Sequence, residues 1–240
     1  VFEMDYRFAK YQTVAERKEM ARKSVEALMK KDKNLEPVVI EGKKLATNWW
    51  GLAWNQNLQS YADYSNRIGR GRTYVRNGSV IDLKINKGTV TGLVQGSRKI
   101  PYKVKITIDT LSPKRQERII QLCNNRIASL ESLIDGKFPE ELKVIFTEKE
   151  YGMFPAPKEI YFSCSCPDSA YMCKHVASVL YGVGSRLDKD PMLFFELRDM
   201  DGASLVRKSM EKRLDNMLKN AHIKSNRTID EKDIFNIFGV

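Results

Sequence analysis

Three of the four cysteines and one of the two histidines of this 240-residue chain fall in the twenty-three residues 161–183, YFSCSCPDSAYMCKHVASVLYGV. Cys164 and Cys166 are separated by one residue. After six intervening residues, Cys173 and His175 repeat that spacing. Three thiolates and one imidazole form a complete tetrahedral donor set for Zn2+, with no position left for water or substrate, so the chemistry expected is structural and not catalytic. Redox chemistry would favour Cys-x-x-Cys, which is absent, and a disulfide framework would need more cysteines spread more widely. One zinc ion per chain, held by Cys164, Cys166, Cys173 and His175, is the expectation.

Such a set needs elements that bring two pairs together. The residues before Cys164 are extended in character, and on a strand residues two apart share a face, which points both sulfurs of the first pair to one side. Pro167-Asp168-Ser169 is turn chemistry. From about Met172 the apolar residues Val176, Val179, Leu180, Val183 and Leu187 recur at helical spacing. This places Cys173 and His175 at a helix N-terminus, whose partial positive charge favours the metal-binding thiolate.

The rest of the chain is ordinary in composition and strongly basic. It is 42% hydrophobic and 30% charged, with a formal net charge of +11. No apolar run is long enough to span a membrane, and the mixed, charged beginning is unlike a signal peptide. The clustered cysteines suit a reducing cytoplasm. The excess of cations points to an acidic partner, with nucleic acid first among candidates.

The sharpest charge feature is 66–76, NRIGRGRTYVR. Arg67, Arg70, Arg72 and Arg76 occur there with no acid between Tyr64 and Val80, and Tyr74 is interleaved. The planar arginine fork matches phosphate. Arginines that pair with carboxylates elsewhere in the fold are the competing reading, and the spacing does not separate the two. Arg98 and Lys99, in a later turn, join the candidate nucleic-acid contacts. Trp50, Trp54 and Leu58 share a helix face, where packing into the core is favoured over stacking on bases.

Elsewhere the pattern predicts a helix over 11–33, capped by Thr13 with Glu16, and a short strand over 37–40. Asn77-Gly78 is read as a hairpin turn joining strands 73–76 and 79–85. Strands over 89–95 and 102–110 follow, completing a four-stranded antiparallel meander or partial barrel. Ser112-Pro113 opens a helix whose stripe Ile120, Cys123, Ile127, Leu130 and Ile134 continues to Gly136 and makes Cys123 a packed thiol. A shorter helix starts at Pro139. The Pro- and Gly-containing stretch 149–160 is read as a boundary, dividing the chain into 1–150 and 151–240. Beyond the knuckle come a helix after Pro191, a longer one after Gly202 with Val206, Met210, Leu214 and Met217 as its stripe, a solitary His222, and a last short helix opened by Thr228 and Glu231 and carrying Phe235 and Phe238. The fold class is therefore α+β: an antiparallel sheet with flanking helices, then a small ββα-like zinc unit and C-terminal helices.

The Cys-x-Cys, Cys-x-His pattern resembles the SWIM zinc finger, and its flanks strengthen the likeness. CKHVASVLYGVGSRLDKDPMLFFELRDMDG resembles the segment that follows the knuckle in bacterial SWIM proteins, while WWGLAW, NRIGRGRTYVRNGSV and VQGSRKIPYKVKI resemble the N-terminal half of the same family. The likeness spans roughly 47–110 and 159–202. It implies the same four zinc ligands, association with Swi/Snf-type helicases, and binding to DNA or protein. No phosphate-binding glycine loop and no catalytic serine or zinc-protease motif is found. The expectation is a non-catalytic, nucleic-acid-binding accessory protein, DNA ahead of RNA. A protein-docking module for the same class of ATPase is the alternative.

Overall fold

The computed structural model describes residues 13–59, 65–123, 126–127, 129–168 and 170–220. The expected features at His222 and the last helix with Phe235 and Phe238 lie outside the described residues.

Helix α1 (Val14–Met29) opens on the expected capping box: Thr13 Oγ1 accepts from the Glu16 N–H at 3.2 Å, and the Glu16 carboxylate accepts from the Thr13 N–H at 2.7 Å. Its outer face is a mixed-charge surface in which Arg22 is clasped by Glu19 and Glu26. Helix α2 (Trp49–Gln59) buries Trp50, Trp54 and Leu58 as the spacing requires. Each buried indole N–H finds a backbone acceptor: Trp50 Nε1 donates to the Leu133 carbonyl at 2.7 Å and Trp54 Nε1 to that of Leu180 at 2.8 Å. These tryptophans are core anchors.

The arginine-rich segment is a helix, α3 (Ser65–Arg76), where a strand was expected over its last residues. Asn77-Gly78 ends this helix instead of turning a hairpin. Gly78 has φ +68°, its N–H donates to the Val75 carbonyl, and the Ser79 N–H donates to that of Tyr74, both at 3.0 Å. This is a Schellman cap. A left-handed glycine serves a hairpin turn and a helix cap equally well, so the dipeptide is ambiguous by itself.

Strands β1 (Val80–Asn86), β2 (Thr89–Val94) and β3 (Tyr102–Ile108) form the expected meander, but its fourth member comes from the knuckle. Strand β4 (Ile160–Cys164) pairs antiparallel with β3, giving an open sheet of order β1-β2-β3-β4. Residues 37–40 do not form a strand. They run beside β1 with two bonds nearby, Val38 N–H to the Val80 carbonyl and Leu83 N–H to that of Glu36.

The long helix expected after Ser112 breaks in two: α4 (Pro113–Cys123) and α5 (Leu130–Ile134). Ser129 and Ser132 cap α5 reciprocally, and Ile119, not Ile120, is buried beside Cys123 in the first piece. Cys123 packs as expected, and burial pushes its thiol up to about 12. Helix α6 (Glu140–Thr147) follows Pro139. Side chains from both sides of 149–160 share one hydrophobic core, which includes Trp50, Val104 and Phe146 together with Val179, Leu180 and Phe194.

Helix α7 (Lys174–Lys189) is the centre of the fold. It packs against α2, α3 and all four strands. Its neighbours approach closely through glycine. A Cβ on Gly71 of α3 would lie 2.5 Å from that of Ala177, and one on Gly51 of α2 would lie 2.7 Å from the Gly184 carbonyl oxygen. Asp188, near the C-terminal end of α7, caps the start of α2 by accepting from the Thr47 and Asn48 N–H groups at 2.6 and 2.5 Å. Gly71→Ala is expected to push α3 off α7 and to cost about 1–3 kcal/mol, the usual range for overpacking; an unchanged denaturation midpoint would refute this tight contact. After α7 come α8 (Met192–Leu197) and α9 (Gly202–Asn220). On α9, Leu205 and Val206 are buried, while Met210 and Leu214 of the expected stripe are exposed.

Candidate metal centre

Strand β4 delivers Cys164 at its last residue, and Cys166 sits in the turn beyond it. The intervening Ser165 is tied to the sheet: its N–H donates to the Lys103 carbonyl at 3.0 Å and its Oγ accepts from the Lys103 N–H at 2.9 Å. The second pair sits where the helical pattern predicts. Cys173 is the N-cap of α7, with its Sγ accepting from the Val176 N–H at 3.5 Å, and His175 lies in the first turn.

The four donor atoms converge to within 4.8 Å of one another. His175 Nδ1 is 3.9 Å from the sulfurs of both Cys164 and Cys173. Zinc bonds of about 2.3 Å to sulfur and 2.0–2.1 Å to nitrogen require tetrahedral edges of roughly 3.8 Å between sulfurs and 3.6 Å from sulfur to nitrogen. The set therefore fits one structural Zn2+ after contracting by a few tenths of an ångström along the His175–sulfur edges and by up to about 1 Å where the donors stand furthest apart. Cys173 is biased toward the thiolate. The hydrogen bond from the Cys164 thiol, followed by those from His175 and the Val176 N–H, overcomes burial and holds Cys173 down at about 3. Cys164 is pushed up by that same bond and by burial. A bound Zn2+ would take the place of the protons that remain on the three thiols, since it binds the deprotonated form of each.

This donor geometry and spacing are those of a known module, and residues 163–183 match the SWIM zinc finger model. The chain carries a SWIM zinc finger. Similarity is not confined to it: the uncharacterized protein Rv2102 of Mycobacterium tuberculosis is 32% identical over 163 residues, covering 68% of this chain and 58% of the relative. The chain thus spans a little more than half the length of that protein. No solved structure matches the chain.

The ring of the SWIM histidine is held by aromatics. His175 is 1% exposed; Tyr102 stacks on it with centroids 4.2 Å apart, and Tyr74 meets it edge-on at 5.5 Å. Gly96 closes this box: a Cβ there would lie 2.5 Å from the Tyr102 ring and 3.4 Å from His175 Nε2. Tyr102 and Gly96 were not singled out from the sequence as supports of the site. Tyr102 carried only the signal of a strand residue and Gly96 that of a turn.

The candidate nucleic-acid contacts divide in two. Arg67 forms an ion pair of 2.7 Å with Asp168 of the finger's loop, tying α3 to it. Arg72 donates to the Tyr181 hydroxyl at 3.1 Å and lies over that ring. Arg76 donates to the Lys43 carbonyl at 2.9 Å. Tyr74 is buried against His175. Arg70, Arg98 and Lys99 are exposed. Burial raises Tyr74 while the charges of Arg17 and Arg70 act against it, which places both cations close by; Arg98 stands 5.9 Å over the ring of Tyr102. Among the described residues no helix is long and apolar enough to cross a membrane.

Proposed function

We propose that this is a non-catalytic, nucleic-acid-binding accessory protein whose zinc orders the binding surface, and that it works beside a Swi/Snf-type helicase. One observation carries the reading. Cations from separate elements, Arg70 on α3 and Arg98 in the β2–β3 turn, gather around the two tyrosines that hold the zinc-ligating histidine, and the exposed Lys99 follows Arg98 in that turn. A closed donor set leaves the metal no coordination site for substrate, which supports a structural role. The helicase partner follows from the association of SWIM proteins with such ATPases, and DNA is placed ahead of RNA.

Salt titration tests this. If those three residues contact three phosphates, they contribute about −2.7 to the slope of log affinity against log salt on duplex DNA. The triple variant Arg70→Ala, Arg98→Ala, Lys99→Ala should flatten the slope by about that amount while keeping its zinc. An unchanged affinity and slope would sink the proposal. The docking alternative is favoured by the exposed Met210, Leu214 and Leu218 of α9. It becomes the better reading if the wild-type protein binds no nucleic acid at low salt.

A further inference from the structure

The four strands present one face to α7 and the core, and the other to solvent. On β3, Tyr102, Val104, Ile106 and Ile108 are buried while Lys103, Lys105 and Thr107 are exposed. The pairing register extends this division across the sheet. Lys84 stands opposite Thr91, Thr91 opposite Lys105, and Lys105 opposite Ser163, so these four side chains form one row on the outer face. In the neighbouring rows Leu93 lies opposite Lys103, and Thr107 opposite the half-exposed Tyr161. A shallow depression of about 460 Å3 runs over this surface between β1 and β4.

Its chemistry is one-sided. The strands carry three lysines and a single acid, Asp82, whose carboxylate accepts the Glu36 N–H at 2.9 Å. Among the described residues none of the three lysines forms an ion pair. Neighbouring strands lie about 4.8 Å apart and alternate residues about 7 Å apart. This places Lys84 and Lys105 about 10 Å from each other across the sheet, and Lys105 about 7 Å from Lys103 along it. Between and beside the cations are Thr91, Thr107 and Ser163 hydroxyls, and at one edge an aromatic ring. A broad flat face cannot enter a duplex groove, which admits a helix or a two-stranded ribbon. It can receive splayed bases, with cations on the backbone and an aromatic ring stacked against a base.

We infer that the open face of the sheet is a platform for a single-stranded nucleic acid, in which Lys84, Lys103 and Lys105 take the phosphates and Tyr161 stacks on a base. This rests on the nucleic-acid reading above and extends it: the cations around His175 lie at the end of β3 where Arg98 and Lys99 lead into Lys103, so a strand leaving them continues onto the sheet. The finger keeps the platform in shape, since β4 ends at a zinc ligand and Ser165 is bonded to Lys103.

The test is fluorescence anisotropy on the zinc-loaded full chain, with labelled dT and rU oligomers, a DNA duplex of equal length, and polyglutamate as an acidic competitor. Lys103→Glu with Lys105→Glu should weaken single-strand binding about 10- to 100-fold, and Tyr161→Ala about 10-fold with Tyr161→Phe near wild type. These exposed substitutions should leave zinc content and thermal midpoint unchanged. If the charge reversal does not fold, Lys103→Gln with Lys105→Gln replaces it and should flatten the single-strand salt slope by about 1.4. Wild-type binding by the lysine variants, with loss only in the Arg70, Arg98 and Lys99 variant, would overturn the platform and leave the proposed function standing. A preference for duplex would overturn it as well. Binding of polyglutamate but of no oligonucleotide would overturn both.

Discussion

Cys173→Ser is expected to empty the finger: bound zinc falls from about one per chain to about zero, and the segment around it loosens. This substitution separates two roles of one side chain. Cys173 is both a ligand and the N-cap of α7, and serine is among the best N-cap residues. The helix therefore keeps its cap and loses only the metal bond. The loosening should be local at first. Cys164, Cys166 and His175 no longer share a cation, so the end of β4, the Ser165–Lys103 bonds and the Arg67–Asp168 pair lose their anchor. Faster amide exchange is expected over residues 160–176, with much less change in α4 to α6. Cys123→Ser is the control, since that buried thiol lies apart from the donor set and should leave zinc at about one per chain. A Cys173→Ser protein that retains stoichiometric zinc would overturn the assignment.

Glu159→Gln is expected to be the most damaging change outside the finger. Glu159 sits in the single turn Pro157–Glu159 that feeds β4, between two guanidinium groups: Arg115 of α4 at 2.6 Å and Arg198, just past α8, at 3.5 Å. Arg198 is fully buried and also donates to the Asp109 carbonyl. Burial lowers Arg198 from its ordinary value despite Glu159, but an arginine starts so high that it stays charged. Without its carboxylate that charge is left buried and poorly compensated. Breaking one side of such a pair costs about 3–5 kcal/mol, or a fall in midpoint of about 6–20 °C for a chain of this size. An exposed pair offers the contrast: Glu19→Gln on α1, beside Arg22, should produce no measurable change.

The effect of Glu159→Gln should depend on pH. Burial works against the charged form of Glu159, but the Ala156 N–H, Arg198 and Arg115 outweigh it and hold the group below its ordinary 4.5. A depressed carboxylate contributes stability above its unfolded value and loses it as the pH falls through the folded one. The gap between wild type and Glu159→Gln should therefore be full at neutral pH and narrow below about pH 4.5. A gap that stays constant down to pH 2 would show that lost packing, not charge, is responsible.

The metal centre was legible because its signal is local. Ligand types, tight spacing and the strand-to-helix switch all lie within a few residues, so Cys164, Cys166, Cys173 and His175 were found without a fold. The amphipathic stripes were legible for the same reason: Trp50, Trp54 and Leu58, and the alternation from Tyr102 to Ile108, declare which face is buried. Ambiguity entered where one local signal serves two structures. Asn77-Gly78 is such a case, because a left-handed glycine suits a hairpin and a helix end, and here the preceding arginines are helical with Gly71 packed closely on Ala177.

What the chain determined by itself is therefore its chemistry: a closed zinc set, a basic balance, and the period of most elements. What only the tertiary structure decided is which of those groups are spoken for. The spacing of Arg67, Arg72, Arg76 and Tyr74 suits partners in a nucleic acid and partners within the fold alike, and they meet Asp168, Tyr181, the Lys43 carbonyl and His175 across sequence gaps too long for any local pattern to encode. The strand of the finger joins β3 for the same reason: pairing is settled by burial of one shared face, and that face exists only once the sheet is assembled.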